Sequence, residues 1–375
     1  MNMDVYKKLA RHLDDLPGGY PPTESGVELR ILKRLFSPDE AELALHLTLI
    51  PEEPRVVARR AGIAREEAAQ RLADMAGKGL IYSLQPESGL PRYQAAQFAV
   101  GIWEYQLNRL NPELIKDVEE YFEDLFNLET WKKAPQMRTI PVKQSINVEQ
   151  KIMIYEQAEA LIRDKKKIVV APCICRKERR MVGEGCAKPL ETCLSFDSVA
   201  DFYERNGLGR LINQQEALDI LKAAEEAGLV LQPANARETT FLCCCCGDCC
   251  GVLRNLKRHP QPASLVSSPF VAVVEPETCD ACGTCLDRCQ MEALELDGDT
   301  VVIDAYRCIG CGLCVTTCPT DSLSLMRKPE DEQVAVPKDI VQTMIQLGQE
   351  RGKLGRAELV KMVVKSKADR LLALK

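Results

Sequence analysis

With 375 residues, 46% of them hydrophobic and 28% charged, the chain is long enough for two or three domains that each bury a core. Its net charge of −6 provides no overall attraction for nucleic acid. No stretch approaches the roughly 18 uninterrupted apolar residues of a membrane helix. Cysteine is the outlier: there are 18, against three histidines, and all lie between Cys173 and Cys318. The first residues, MNMDVYKKLARHLDDLPGGY, carry charges where a signal peptide has its apolar run. The expectation is a cytoplasmic chain, in which disulfides are rare and clustered cysteines hold metal. Thiolate clusters survive best where oxygen is scarce, which points to an anaerobic setting.

Residues 1–25 read as an N-terminal helix and linker. From Gly26 the spacing turns helical, with Val27, Ile31, Leu32 and Leu35 on one stripe. Pro38 and Asp39 open a second helix that runs to about Leu47. Pro54 to Ile63 is a short third helix ended by Gly62, and a longer one runs from Ala64 through Lys78, closed by Gly79. Leu80–Gln85 and Arg92–Gln97 read as strands joined by the turn at 86–91. Over 26–100 this order resembles the winged helix-turn-helix superfamily in pattern, without a residue-specific motif. Members that bind DNA set the third helix in the major groove. Here the helix mixes Arg65, Gln70, Arg71 and Lys78 with Glu66, Glu67 and Asp74, a poor surface for phosphates. Protein contact or homo-oligomerisation is therefore ranked ahead of nucleic acid as its use.

Residues 101–165 read as a helical connector with the acidic stretch Asp117–Asp124, and Pro135 and Pro141 mark a linker. Trp103, Tyr105, Tyr121, Phe122, Phe126 and Trp131 recur at roughly helical spacing and are assigned to packing. A central Cys-rich α/β module follows at 166–265. Lys165–Pro172 is a buried-strand signal that delivers Cys173 and Cys175. A helix runs from Asn213 to Ala227, and two strands, Leu229–Gln232 and Thr239–Cys243, flank the turn Pro233-Ala-Asn235.

The cysteines then fall into a regular pattern. Cys279, Cys282, Cys285 and Cys289, and again Cys308, Cys311, Cys314 and Cys318, are spaced C-x2-C-x2-C-x3-C. Small residues, Gly283, Gly310 and Gly312, let the backbone close around a cluster and donate N–H groups to it. Ala293–Leu296 and Thr300–Ile303, around Asp297-Gly-Asp299, read as strand, turn and strand. Zinc sites use separated C-x2-C pairs, often with histidine, so the doubled triple argues for iron–sulfur clusters. Residues 266–328 resemble the bacterial two-[4Fe–4S] ferredoxin domain. The resemblance implies that each run's fourth cysteine serves the other cluster. One cluster would take Cys279, Cys282, Cys285 and Cys318; the other would take Cys289, Cys308, Cys311 and Cys314. Gln290 departs from the proline that follows the fourth cysteine in that family, whereas Pro319 keeps it.

Ten cysteines remain as candidate ligands of one or two further iron–sulfur clusters: Cys173, Cys175, Cys186, Cys193, Cys243, Cys244, Cys245, Cys246, Cys249 and Cys250. On extended strands Cys173 and Cys175 would share a face, while Cys243/Cys245 and Cys244/Cys246 would face opposite ways. Gly247 ends the second of these strands, and Asp248 would cap a helix carrying Cys249 and Cys250, whose first amides favour a thiolate or an anionic cluster. Arg176, Lys177, Arg179 and Arg180 add positive charge beside Cys175. Cys245-Cys246-Gly247 and Cys249-Cys250-Gly251 resemble the Cys-Cys-Gly motifs of heterodisulfide-reductase-type subunits, without that family's wide spacing to partner cysteines.

The expected fold class is α+β multidomain: an N-terminal winged helix, the Cys-rich module, the two-cluster domain and a helical tail at 329–375. The expected function is an iron–sulfur electron-transfer protein. It would act as a multi-cluster ferredoxin-type subunit passing single electrons to or from a partner redox protein, a flavin or metal enzyme of anaerobic metabolism. One other reading is a redox- or iron-responsive winged-helix transcription regulator; another is an oxidoreductase that uses the central cysteines on a thiol or disulfide. No G-x-x-x-x-G-K-[ST], no G-x-G-x-x-G after a strand and no C-x-x-C-H occurs, so hydride chemistry would come from the partner.

Overall fold

Caps set the helix boundaries at the start of the chain in the computed structural model, which describes residues 4–126, 133–146 and 152–374. Helix α1, Val5–Asp14, begins where the Asp4 side chain accepts the Tyr6 amide. Helix α2, Val27–Leu35, buries the stripe of Val27, Ile31, Leu32 and Leu35. Helix α3, Pro38–Ala44, opens on a capping box of Ser37 and Glu40 and stops short of Leu47. Helix α4, Pro54–Ala61, ends at the left-handed Gly62, and α5, Arg65–Gly77, follows. Strands β1, Tyr82–Leu84, and β2, Arg92–Gln94, form an antiparallel hairpin. On its other edge β2 meets the loop before α4, where Glu52 and Tyr93 exchange both backbone bonds.

The helical reading of 101–165 holds for α6, Pro112–Leu125, whose first turn is capped by Asn111. It fails for 133–146, which is mostly extended. Pro135 and Pro141 remove donors there, and the amides between them bond outward: Arg138 to the Pro233 carbonyl, Ile140 to Leu231 and Thr139 to Ser267. Trp103, Tyr121 and Phe122 are buried as packing residues, and Tyr105 stacks near Phe202; Trp131 lies outside the described residues.

Two compact units result. The first comprises Met1–Asn127, Asp201–Leu208 and Met344–Lys375; the second comprises Leu128–Ala200 and Gly209–Thr343.

The second unit is built on a five-stranded antiparallel sheet. After α7, Ala158–Arg163, come β3, Ile168–Pro172; α8, Ile174–Met181; β4, Glu191–Phe196; and the start of α9, Asp197–Arg205, which passes into the first unit at Asp201. Then follow β5, Arg210–Ile212; α10, Gln214–Glu226; β6, Val230–Pro233; and β7, Phe241–Cys245, in the sheet order β5-β3-β4-β7-β6. The expected strands at 165–172, 229–232 and 239–243 are present, and β4 and β5 add two strands to them. Helix α11, Gly251–Arg258, leads to β8, Phe270–Val274, which pairs with β11, Leu323–Arg327. Between them lie α12, Thr284–Arg288, and the hairpin of β9, Leu294–Asp297, with β10, Thr300–Ile303. Phe270, Ala272, Val301, Leu323 and Leu325 form a core together with Cys285, Cys308 and Cys314. Helices α13, Ile340–Glu350, and α14, Arg356–Leu372, end the chain, and no helix among the described residues is long and apolar enough to cross a membrane.

Candidate metal centres

Eight cysteines surround two cavities. Cys279, Cys282, Cys285 and Cys318 line one; Cys289, Cys308, Cys311 and Cys314 line the other, with Gln290 and Ala272. The two loops repeat every 29 residues in backbone as well as in sequence. Ala281 and Gly310 (φ +54° and +66°), Gly283 and Gly312 (+74° and +75°), and Glu292 and Asp321 (+54° each) are all left-handed. The first loop therefore keeps the turn pattern of the second although Gln290 stands in place of proline.

Their surroundings differ. Burial raises the thiol pKa of Cys308 and Cys314, and pushes Cys311 up to about 12. The Ala281 amide draws Cys279 down, and Cys282 is exposed. At Cys318 burial raises the pKa, but the Thr320 hydroxyl and nearby amides outweigh it, so the net shift is downward. The cavity of Cys308 is the inner one and that of Cys282 the outer one. The inner loop is also held from the extended segment, where the Val142 amide bonds the Cys311 carbonyl.

The central cysteines divide three ways. On β4 and β7, Cys193 stands opposite Cys243, and Cys245 follows on the same face. Cys173 and Cys175 reach that face differently from expectation: β3 ends at Pro172, Cys173 is the N-cap of α8 and Cys175 lies in its first turn. Strand geometry would have required two more extended residues after a proline that already kinks the register. Cys250 arrives as the N-cap of α11, so Asp248 does not cap that helix, and neither Cys249 nor Cys250 lies within it. These six thiols form a chain of contacts. Cys175 meets Cys173 and Cys250, Cys245 meets Cys250 and Cys243, and Cys243 meets Cys193. The Cys175 and Cys245 thiols, with the Leu253 and Val252 amides adding to them, hold Cys250 well below the ordinary thiol range.

Cys244, one step out of phase on β7, is buried on the opposite face, and burial raises its pKa. Cys246 does not share its environment, because the strand ends at Cys245 and the chain turns. Cys246 lies instead with Cys249 and Cys186, and the Cys249 thiol draws it down to about 5 with help from Arg176. Arg176 is fully buried; Nη1 donates to the Cys244 carbonyl at 3.0 Å and reaches Cys246 Sγ at 3.8 Å, and Nη2 donates to Thr192 Oγ1. Arg180 instead bonds the loop carbonyls of Cys186 and Lys188. The sequence reading assigns no element to Cys193, which the structure places on β4. The alternation Thr192, Leu194, Phe196 inward is the signal that would have found its strand.

Gln290 joins the two cysteine regions. Its Oε1 accepts the Gly247 amide at 2.7 Å, and a side chain at Gly247 would run into the Gln290 carbonyl. Arg288 adds bonds to the carbonyls of Glu225 and Glu226 at the end of α10.

Residues 278–322 match the family model of the 4Fe-4S dicluster domain, which makes this stretch a ferredoxin-type, [4Fe–4S]-binding region of the chain. No curated protein and no solved structure matches the chain.

Proposed function

We propose that the chain is a multi-cluster electron carrier in which two [4Fe–4S] clusters at 279–318 stand in series with a further iron–sulfur cluster on the central sheet. The outer cluster is held by Cys279, Cys282, Cys285 and Cys318, and the inner one by Cys289, Cys308, Cys311 and Cys314. Four of the six thiols Cys173, Cys175, Cys193, Cys243, Cys245 and Cys250 hold the third. Each cluster, when bound, supplies a one-electron couple. The protein's own contribution is a fixed order of sites: thiols on the sheet, then the buried inner set, then the exposed outer set.

The observation that carries this reading is Gln290, which lines the inner cavity and accepts the amide of Gly247 between the central cysteines. The exposed edge around Cys282 suits a partner redox protein with a flavin or metal centre, in an anaerobic setting. The winged-helix-like segment serves protein contact. Its cations support this use, because Arg71 pairs with Glu67, Lys78 pairs with Glu40 and Arg65 donates to the Ala373 carbonyl. Little of their charge is left to meet phosphates.

Anaerobic purification followed by iron counting and EPR of the reduced protein tests the proposal. The expected content is about twelve irons per chain; about eight would remove the cluster on the central sheet, and fewer than about eight would sink the whole reading. Cys282→Ala and Cys311→Ala should each remove about four irons and a different part of the EPR signal.

A further inference from the structure

Cys186, Cys246 and Cys249 form a closed triangle of thiols, whereas the six thiols of the sheet touch only in a chain. Cys186 Sγ lies 3.7 Å from Cys246 Sγ and 3.6 Å from Cys249 Sγ. Among the described residues these are the three metal-ligating side chains whose ligand atoms all fall within 4.8 Å of one another. A tetrahedral ion with bonds of about 2.3 Å to sulfur sets its sulfurs about 3.8 Å apart. A cubane binds each thiolate through a different iron and so spreads its ligands, leaving no three sulfurs in mutual contact. The eight cysteines of 279–318 follow that wider rule, since no three of them meet the same 4.8 Å limit.

The elements around the triple are built to bring it together. Cys186 sits on the loop after α8, and Arg180 pins that loop through the carbonyls of Cys186, at 3.0 Å, and Lys188, at 2.6 Å. Gly185 permits the approach: a Cβ there would stand 2.6 Å from the Arg180 backbone nitrogen. Lys188 Nζ lies 3.6 Å from the Asp248 carboxylate and ties the loop to the turn that carries Cys246 and Cys249. Charge fits as well. Three thiolates around a divalent cation leave one negative charge, and the buried guanidinium of Arg176 beside Cys246 offsets it.

We propose that Cys186, Cys246 and Cys249 form a mononuclear zinc site, separate from the iron–sulfur clusters, with a fourth position open to an exogenous donor. Thiolates select zinc or iron–sulfur clusters, and the sulfur spacing disfavours the cluster. No fourth Cys, His, Asp or Glu joins the group within the same distance among the described residues. Three protein ligands and one open position are the composition of catalytic rather than structural zinc. Cys246 and Cys249 are buried and Cys186 is half-buried, so the exogenous donor enters from the Cys186 side.

Metal analysis and zinc X-ray absorption on the full-length protein, purified anaerobically from zinc-supplemented cells, provide the test. The expected result is about one zinc per chain with three sulfur neighbours and one lighter one. Cys249→Ala and, on the more exposed loop, Cys186→Ala should each remove the zinc and leave iron content and the reduced EPR spectrum unchanged. Zinc absent from the wild-type protein, zinc bound by four sulfurs, or a loss of about four irons in Cys186→Ala would overturn the site. A failed electron-carrier reading would show separately, as low iron in the wild-type protein.

Discussion

Cys244 and its neighbours on β7 have the same chemistry, and they are separated only by the two-residue alternation of a strand. Cys243 and Cys245 face the other thiols, whereas Cys244 stands opposite Leu231 and points into the apolar side of the sheet, 1% exposed. Burial there raises its pKa, as expected of a thiol that behaves as a small apolar side chain. Replacing it should therefore separate packing from ligation. Cys244→Ala is expected to lower stability by about 1 kcal/mol, seen as a shift of the urea midpoint, with iron per chain unchanged. Replacing the facing thiols Cys193, Cys243 and Cys245 together leaves only three of the six and should lower the iron count by about four. Equal iron loss in both variants would show that the alternation does not divide the run.

The repeated loop is the element in which sequence and structure correspond most closely. Cysteines three apart place successive thiols around one small cavity, and the left-handed turns at Ala281 and Gly310 recur at the same point in each copy. Such local geometry is written in spacing, so both cavities were legible from residue order. The central site was legible in residue type but not in arrangement. Its thiols come from strands β4 and β7 and from two helix starts, and only the sheet register sets Cys193 against Cys243. Pro172 was part of a correct strand, yet it also ended that strand, which moved Cys173 and Cys175 to a helix. Gln290 could be seen as a departure from the ferredoxin pattern; its partner, the Gly247 amide, lies 43 residues away and could not be seen. Gln290→Ala leaves that buried amide without its acceptor, at a cost of about 1–3 kcal/mol. The expected outcome is faster hydrogen exchange at Gly247 with the iron count intact; unchanged exchange would mean the contact does not hold the two cysteine regions together.

At the scale of the molecule, the chain's end returns to its beginning. In the first unit Arg60 bonds Glu52 through two nitrogens and Asp369 through Nε at 2.6 Å, and Ser366 donates to the same Glu52. Arg60 and Glu52 are buried, so Arg60→Met would leave two carboxylates facing each other and should cost about 3–5 kcal/mol. The first unit should then melt earlier in calorimetry while the iron of the second is retained. The same unit contains His12 and His46, both lowered in pKa chiefly by burial. A histidine held neutral by folding binds fewer protons than it does in the unfolded chain. Its contribution is complete above its ordinary value of 6.5 and is lost as pH falls from there through the lowered folded value. His12 is the more deeply placed, with Nε2 buried and unpartnered on the face of α1 that packs Leu9 and Leu13. Acid should therefore loosen the first unit. Tm followed by the fluorescence of buried Trp103 should fall between pH 6.5 and 5, and His12→Leu should flatten that fall. A His12→Leu profile as steep as that of the wild type would assign the acid sensitivity to other groups.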